Sequence, residues 1–337
     1  MTNSSGVECY RHSVIQCLLH LPKFGNWLVQ DHLPEGCSVD GVRNCILCHL
    51  RTLYTVYWSE SRSQVSVRKA LNLVYNALKN LGWAAGGEFE QQDADEFLTF
   101  LLGAIALRVD EIRDVLDQYR NKDVMNLLFG IQLRSFLHCK CKKTAPSITL
   151  DTDRSIRVGL GKARAKGTLH EYVKAHMSDD IDDYQCDGCH KRVRVTRQST
   201  IHEAPEVLIL SLRRFATSGS GTRKDDRRVR FTQWLDLGAH VTHPATQRPL
   251  KYRLVATINH RAGRITEPRR GARGGSRQSG DSLNAGGHYI TAARGWNGKW
   301  SMLDDERVTS IESDVAAWPE KSRPGFTPYV LLYTRVA

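Results

Sequence analysis

The sequence predicts an α+β fold. Apolar residues recur at helical spacing through the first 130 residues, the remainder reads mostly as strands, and one helix interrupts those strands. The helical periods begin with Tyr10, Val14, Leu18 and Leu21. They continue through Val42, Ile46, Leu50, Leu53 and Tyr54, then Val67, Leu71, Val74 and Leu78, where Gly82 is a stop signal. Phe97, Leu98, Leu101 and Leu102 form a fourth apolar face. Strand candidates are Ile131–Leu137, Ser155–Leu160, Val207–Phe215, Tyr252–Asn259, His288–Arg294 and Tyr329–Arg335. The interrupting helix starts at a capping box of Thr168 and Glu171, ahead of Leu169, Tyr172, Val173 and Met177. Gly263–Gly287, rich in Gly, Arg and Ser, reads as a mobile loop, and Ser218–Thr222 (SGSGT) as a shorter one. No internal repeat is visible.

A length of 337 residues suits one large domain or two small ones, and a hydrophobic fraction of 41% allows a sizeable core. No apolar run approaches the roughly 18 residues of a membrane helix. The opening MTNSSGVECYRHS lacks the apolar centre of a signal peptide, so a cytoplasmic or nuclear location is expected, with no membrane partner. The net charge of +12 concentrates in Arg223–Arg230 and Arg261–Arg277. Such stretches can neutralise nucleic-acid phosphates, but no aromatic side chains interleave them. They therefore read as solvated loops rather than a nucleic-acid surface. The nine cysteines are odd in number, which rules out complete internal pairing and points to thiols, metal ligands or nucleophiles.

Cys9 lies where the polar segment NSSGVE meets a helical period. A helix N-terminus favours thiolate, and its backbone N–H groups can stabilise an oxyanion. A nucleophile so near Met1 suggests a chain that starts inside a longer protein. GGHYITAAR (Gly286–Arg294) places His288 after two glycines at the start of a strand, and the run continues to GKWSMLDDERV (Gly298–Val308). Asp304 then falls on the adjacent, returning strand, where a carboxylate can fix the imidazole tautomer.

Four ordered blocks resemble the ubiquitin-specific proteases. GVECYRHSVIQ (Gly6–Gln16) is similar to their GNTCYxNSxxQ box, and QQDADEF (Gln91–Phe97) to their QQDAxEF motif. PEVLILSLRRF (Pro205–Phe215) matches their PxxLxxxLxRF strand, and GHYITAAR with WSMLDD their histidine box. The blocks run from residue 6 to 308, nearly the whole chain.

The resemblance implies a papain-like cysteine protease fold in a single catalytic domain over 1–337, with a helical thumb (1–130), fingers (131–205) and a palm (206–337). It implies a thiol-dependent deubiquitinase that cuts the isopeptide or peptide bond after the last glycine of ubiquitin and uses no catalytic cofactor. Cys9 would be the nucleophile, His288 the base and Asp304 its orienter. Asp305 would assist the oxyanion or a water. Asp93 and Glu96 would face the arginine-bearing ubiquitin tail.

Three positions depart from the family pattern. Ser4 stands where the family has its oxyanion Asn, with Asn3 one residue further from Cys9. Glu8 replaces Thr, and a carboxylate there should blunt the thiolate; His12 replaces Asn. Two alternatives follow: a weak or inactive ubiquitin-binding module, or a protease for another ubiquitin-like modifier. The Gly263–Gly287 loop, directly before His288, would overhang and gate the site.

Cys139 and Cys141 (C-x-C) with Cys186 and Cys189 (C-x2-C) suit a four-thiolate structural zinc site, which the family often carries at the tip of its fingers. His138 with Cys141 would offer an alternative first pair. Cys45 and Cys48 also read C-x2-C, but their helical apolar context makes them core packing, like Cys17.

Overall fold

The computed structural model describes residues 1–3, 6–32, 37, 45–83, 92–115, 123–141, 147–161, 167–218, 221–242, 249–263, 287–312 and 314–336. Residues 264–286 of the expected Gly263–Gly287 loop, most of the Arg261–Arg277 basic stretch, Ser4, Val42 and Gln91 lie outside them. Helices α1 (Cys9–Leu19), α2 (Pro22–Gln30), α3 (Ile46–Trp58), α4 (Gln64–Asn80), α5 (Ala94–Val115) and α6 (Val124–Phe129) come first. Strands β1 (Ile131–His138), β2 (Ser147–Asp153) and β3 (Ile156–Gly159) precede α7 (Leu169–His176). Then come β4 (Ser178–Gln185), β5 (Arg192–Glu203), β6 (Val207–Arg213), β7 (Phe215–Ser218), β8 (Gly221–Lys224) and β9 (Trp234–Asp236). β10 (Lys251–Arg261), β11 (His288–Arg294), β12 (Trp300–Asp304), β13 (Arg307–Ile311), α8 (Trp318–Ser322) and β14 (Thr327–Val336) complete the order. The chain forms two compact units. The first is Met1–Asn121, Arg214–Asp226 and Ala256–Tyr329; the second is Lys122–Arg213, Arg227–Val255 and Val330–Ala337.

In the first unit, α1 is buried on every side. Of its residues only Arg11 is not buried. A helix sunk this deeply must satisfy its polar side chains internally. Ser13 Oγ donates to the Tyr10 carbonyl, and Thr291 of β11 donates to the Ser13 carbonyl. α3, α4 and α5 are amphipathic as expected, with Leu50, Leu53, Val67, Leu71, Val74, Leu78, Phe97, Leu98, Leu101 and Leu102 all buried. α4 opens with a capping box of Ser63 and Ser66, and Gly82 follows its end in the left-handed region (φ 96°) that glycine adopts freely.

An antiparallel meander, β10–β11–β12–β13, supplies the strands of this unit. Its register pairs Thr291 with Leu303 and Arg294 with Trp300, and Asp304 pairs with Arg307 across a two-residue turn. Of the stretch Ser218–Thr222, expected as a loop, Ser218, Gly221 and Thr222 instead belong to paired strands β7 and β8, Ser218 opposite Gly221 and Thr217 opposite Thr222, while 219–220 lie outside the described residues. The basic stretch 223–230 is not simply solvated either. The Lys224 side chain is 5% exposed, donates to the His260 carbonyl and pairs with Asp226, and Val229 is 3% exposed.

In the second unit, β2, β1, β5 and β4 form a four-stranded sheet in that order. β4 (SDDIDDYQ) and β5 (RVRVTRQSTIHE) escape the strand patterns because aspartate is depleted in strands and the arginines interrupt apolar alternation. Cross-strand pairing supplies the missing stability: Asp179 binds Arg197 at 2.8 Å, and Asp180 binds Arg194 at 2.7 Å. β6 pairs antiparallel with β14 and parallel with β3. Its run Val207–Leu212 is buried on both faces, which explains an uninterrupted apolar segment. α7 carries the capping box of Thr168 and Glu171.

Candidate active site

Cys9 is the first residue of α1 and 1% exposed. His288 opens β11 and Asp304 closes β12, so the hairpin brings both to the same end. His288 Nε2 and Asp304 Oδ1 are 2.7 Å apart. Asp304 accepting from Nε2–H leaves Nδ1 for the thiol side of the ring. The Asp304 hydrogen bond is the main cause, and the hydrogen bond with Cys9 the next, of a His288 pKa pushed up to about 10. The same bond to His288 holds the Asp304 carboxyl below its usual range.

Glu8, beside the nucleophile candidate, does not face the thiol unopposed. Its carboxylate binds Arg11 at 2.7 Å, and the Arg11 guanidinium lies 4.2 Å from the centre of the Tyr75 ring.

Asp305 gathers the start of the chain. Its Oδ2 accepts from the Asn3 amide at 3.0 Å, and its Oδ1 lies 2.8 Å from His12 Nδ1. Its backbone carbonyl accepts from Gln16 Nε2 at 2.9 Å and from the Met1 amine at 3.0 Å. Asn3 Oδ1 in turn accepts from the Glu8 backbone N–H. His12, which replaces the family's Asn, is 1% exposed and completes this clasp. Asn3, the Glu8 backbone and His12 are thereby linked through Asp305, so two of the three departures, Glu8 and His12, belong to one connected network.

Asp93 and Glu96 stand at the start of α5 and differ in setting. Asp93 accepts from the Asp95 and Glu96 backbone N–H groups and from the Tyr329 hydroxyl at 2.6 Å. Burial pushes its pKa up to about 6, against the lowering effect of the Tyr329 bond. Glu96 is exposed.

Two donor sets suit zinc. In the second unit Cys139, Cys141, Cys186 and Cys189 place their sulfurs within 4.8 Å of one another, with Cys139–Cys189 at 4.0 Å and Cys141–Cys186 at 3.6 Å. A tetrahedral zinc with its usual bond lengths requires about 3.8 Å between sulfurs. Nothing is described of the His138 side chain.

The other set corrects the reading of Cys45 and Cys48 as core packing. With His32 and Cys37 they form a wholly buried cluster in the first unit, all donor atoms within 4.8 Å. His32 Nε2 lies 3.2 Å from Cys48 Sγ and 3.6 Å from Cys45 Sγ, where tetrahedral zinc asks for about 3.6 Å between nitrogen and sulfur. The apolar spacing of α3 hid this set, because three of its members, His32, Cys37 and the N-cap Cys45, come before that helix. The signal available in the sequence was His32-x4-Cys37 ahead of C-x2-C. Either zinc would be structural, its four protein ligands leaving no open position.

The chain matches the ubiquitin carboxyl-terminal hydrolase family over residues 2–333. It is 32% identical over 271 residues to ubiquitin carboxyl-terminal hydrolase 36 of Drosophila erecta, covering 76% of this chain and 23% of that protein. Against ubiquitin carboxyl-terminal hydrolase 42 of Homo sapiens the identity is 25% over 332 residues, 98% of this chain and 22% of that one. The chain thus spans about a quarter of the length of these curated relatives. Among solved structures, Ubp8 in the SAGA DUB module bound to monoubiquitin superposes with a TM-score of 0.75 at 20% identity, covering 98% of this chain and 67% of that one. The same module bound to ubiquitin aldehyde gives 0.74, also at 20% identity, over 98% of this chain and 68% of that one. That likeness identifies the papain-like α+β fold. The chain belongs to the ubiquitin carboxyl-terminal hydrolase family.

Proposed function

We propose that the chain is a thiol-dependent deubiquitinase, cutting the isopeptide or peptide bond after the C-terminal glycine of ubiquitin. The observation that carries this reading is a His288 ring clamped by Asp304 on one nitrogen, with Cys9 at a helix N-terminus on its other side. Cys9 attacks the carbonyl carbon as thiolate, forming a C–S bond while the carbonyl electrons move onto oxygen. Collapse expels the lysine or α-amine, which takes its proton from the His288 imidazolium. Water then attacks the thioester, giving a proton to His288. The ubiquitin carboxylate leaves, and the thiolate–imidazolium pair is restored.

The backbone N–H groups at the start of α1 are the natural oxyanion donors. Asn3, held between the Glu8 N–H and Asp305, is better supported in this role than Ser4. Asp93 and Glu96 would receive the arginines of the ubiquitin tail. The reading of 1–130 as thumb, 131–205 as fingers and 206–337 as palm accompanies this proposal. Ubiquitin and ubiquitinated proteins would be its partners, and the cytoplasm or nucleus its location. Among the described residues no helix is long and apolar enough to cross a membrane.

Purified protein is mixed with ubiquitin carrying a cysteine-reactive C-terminal warhead, and with matching probes of other ubiquitin-like modifiers. An adduct with ubiquitin that vanishes in Cys9→Ala is expected. No adduct from folded protein overturns the enzyme, and an adduct only with another modifier overturns the substrate.

A further inference from the structure

Arg108 lies on α5 and is 8% exposed. A guanidinium remains charged at any physiological pH, so its burial demands compensating partners. Nη1 donates to the half-exposed Glu111 carboxylate at 2.8 Å. Nε donates to Cys45 Sγ at 3.4 Å. A neutral thiol is a weak acceptor, and an unusual one for a buried cation. A metal-bound thiolate is a far better match.

The charges differ between the two donor sets. Zinc with one neutral imidazole and three thiolates carries one net negative charge. The cluster of His32, Cys37, Cys45 and Cys48 is buried throughout, so water cannot screen that charge and the protein must supply the counter-charge. In the four-cysteine set, Cys141 and Cys189 reach solvent.

We propose that Arg108 is the outer-sphere partner of a zinc–thiolate centre at His32, Cys37, Cys45 and Cys48, neutralising its excess negative charge through Cys45. The centre fastens the start of α3 and the chain before it to α5, the helix that begins beside Asp93. Arg108 is a positioning residue here, acting through the metal ligands. This inference deepens the zinc reading and is independent of the proposed activity.

The test measures zinc content and the rate of zinc release to a chelating dye, using the full chain. Wild type is expected to hold two zinc ions and Cys48→Ser one. Arg108→Met should release the zinc that Cys48→Ser lacks about 10- to 100-fold faster, the usual cost of losing an outer-shell partner. Arg108→Lys, which keeps the charge, should restore most of the retention. In cobalt-substituted protein Arg108→Met should move the thiolate-to-cobalt charge-transfer band to lower energy, which a mere packing defect would not do. If Arg108→Met does not fold, Arg108→Gln carries the same expectations. Unchanged zinc content in Cys48→Ser overturns the centre. Wild-type release and an unmoved band in Arg108→Met, or equal release from the Met and Lys variants, overturn the role of Arg108. A chain that passes these tests but ignores the ubiquitin probe would sink the proposed function alone.

Discussion

Replacing Tyr329 with Phe removes one hydroxyl and leaves the ring in place. That hydroxyl donates to Asp93 Oδ2 at 2.6 Å and lowers a pKa that burial has pushed up to about 6. A hydrogen bond to a charged group is worth about 1.5–3 kcal/mol, which at 1.36 kcal/mol per unit corresponds to about one to two pKa units. The Asp93 pKa in Tyr329→Phe should therefore rise to about 7–8. The sign follows from burial: Asp93 is neutral below its pKa and can pair with a tail arginine only above it. KM for a ubiquitin substrate should thus fall as pH rises through about 6 in wild type, and through a midpoint about one to two units higher in the variant. At pH 7 the variant KM should be raised about 2- to 10-fold, with kcat little changed, because the lost charge acts on binding. The assay is a KM profile between about pH 5.5 and 8.5, a range that brackets both midpoints, with a fluorogenic ubiquitin ester or amide. A variant midpoint at or below that of wild type would refute the reasoning, as would a kcat effect with KM unmoved.

Asp304→Asn removes the largest cause of the raised His288 pKa. A raised histidine pKa means that the folded state favours the imidazolium; its stabilisation is complete below about 6.5 and is lost as pH rises through about 10. The alkaline limb of kcat/KM should therefore move to lower pH in the variant, with the rate near neutrality falling by up to about 10,000-fold; an unmoved limb would disprove the coupling. Removing zinc with a strong chelator, or making Cys186→Ser, should lower the unfolding midpoint of the second unit, since a bound structural metal contributes folding energy; a melting curve indifferent to chelator would count against metal there. Gly130→Ala should cost about 1–3 kcal/mol, because its added Cβ would lie 2.7 Å from the Asn126 backbone at the end of α6; chemical denaturation at wild-type midpoint would show that the helix end yields freely.

The local signals were legible where one face of an element decides its fate. α4 and α5 announce themselves because Val67, Leu71, Val74 and Leu78, or Phe97 and Leu101, alternate with solvated residues. α1 shows the same period through Tyr10, Val14 and Leu18, yet its remaining faces are also buried, and only tertiary partners explain why His12 and Gln16 sit inside. β4 and β5 needed each other: an aspartate-rich strand is implausible until arginines arrive opposite it. At the site, ordered sequence blocks led to Cys9, His288 and Asp304, which adjoin in the fold. The clasp around Asp305 was not legible, since its members lie about 290 to 300 positions apart in the chain. Nor was the His32–Cys48 cluster, because helical periodicity accounts for a cysteine on an apolar face equally well whether or not it binds metal.

The turn between β12 and β13 illustrates how such remote contacts restrict change. Asp305 adopts a left-handed backbone (φ 53°), where glycine or asparagine would fit with less strain. A designer seeking a tighter hairpin would install Asn-Gly at 305–306. That exchange would forfeit the two carboxylate oxygens that hold Asn3 and His12, loosening the segment that leads into Cys9. A one-residue insertion ahead of Asp305 would be worse: Asp304 would stay beside His288, held by the β11–β12 pairing, but Asp305 would be carried away from Asn3 and His12, and β13 would turn its side chains to the opposite face. Surface turns are ordinarily where a fold absorbs insertions and drift, but this one has almost no such latitude.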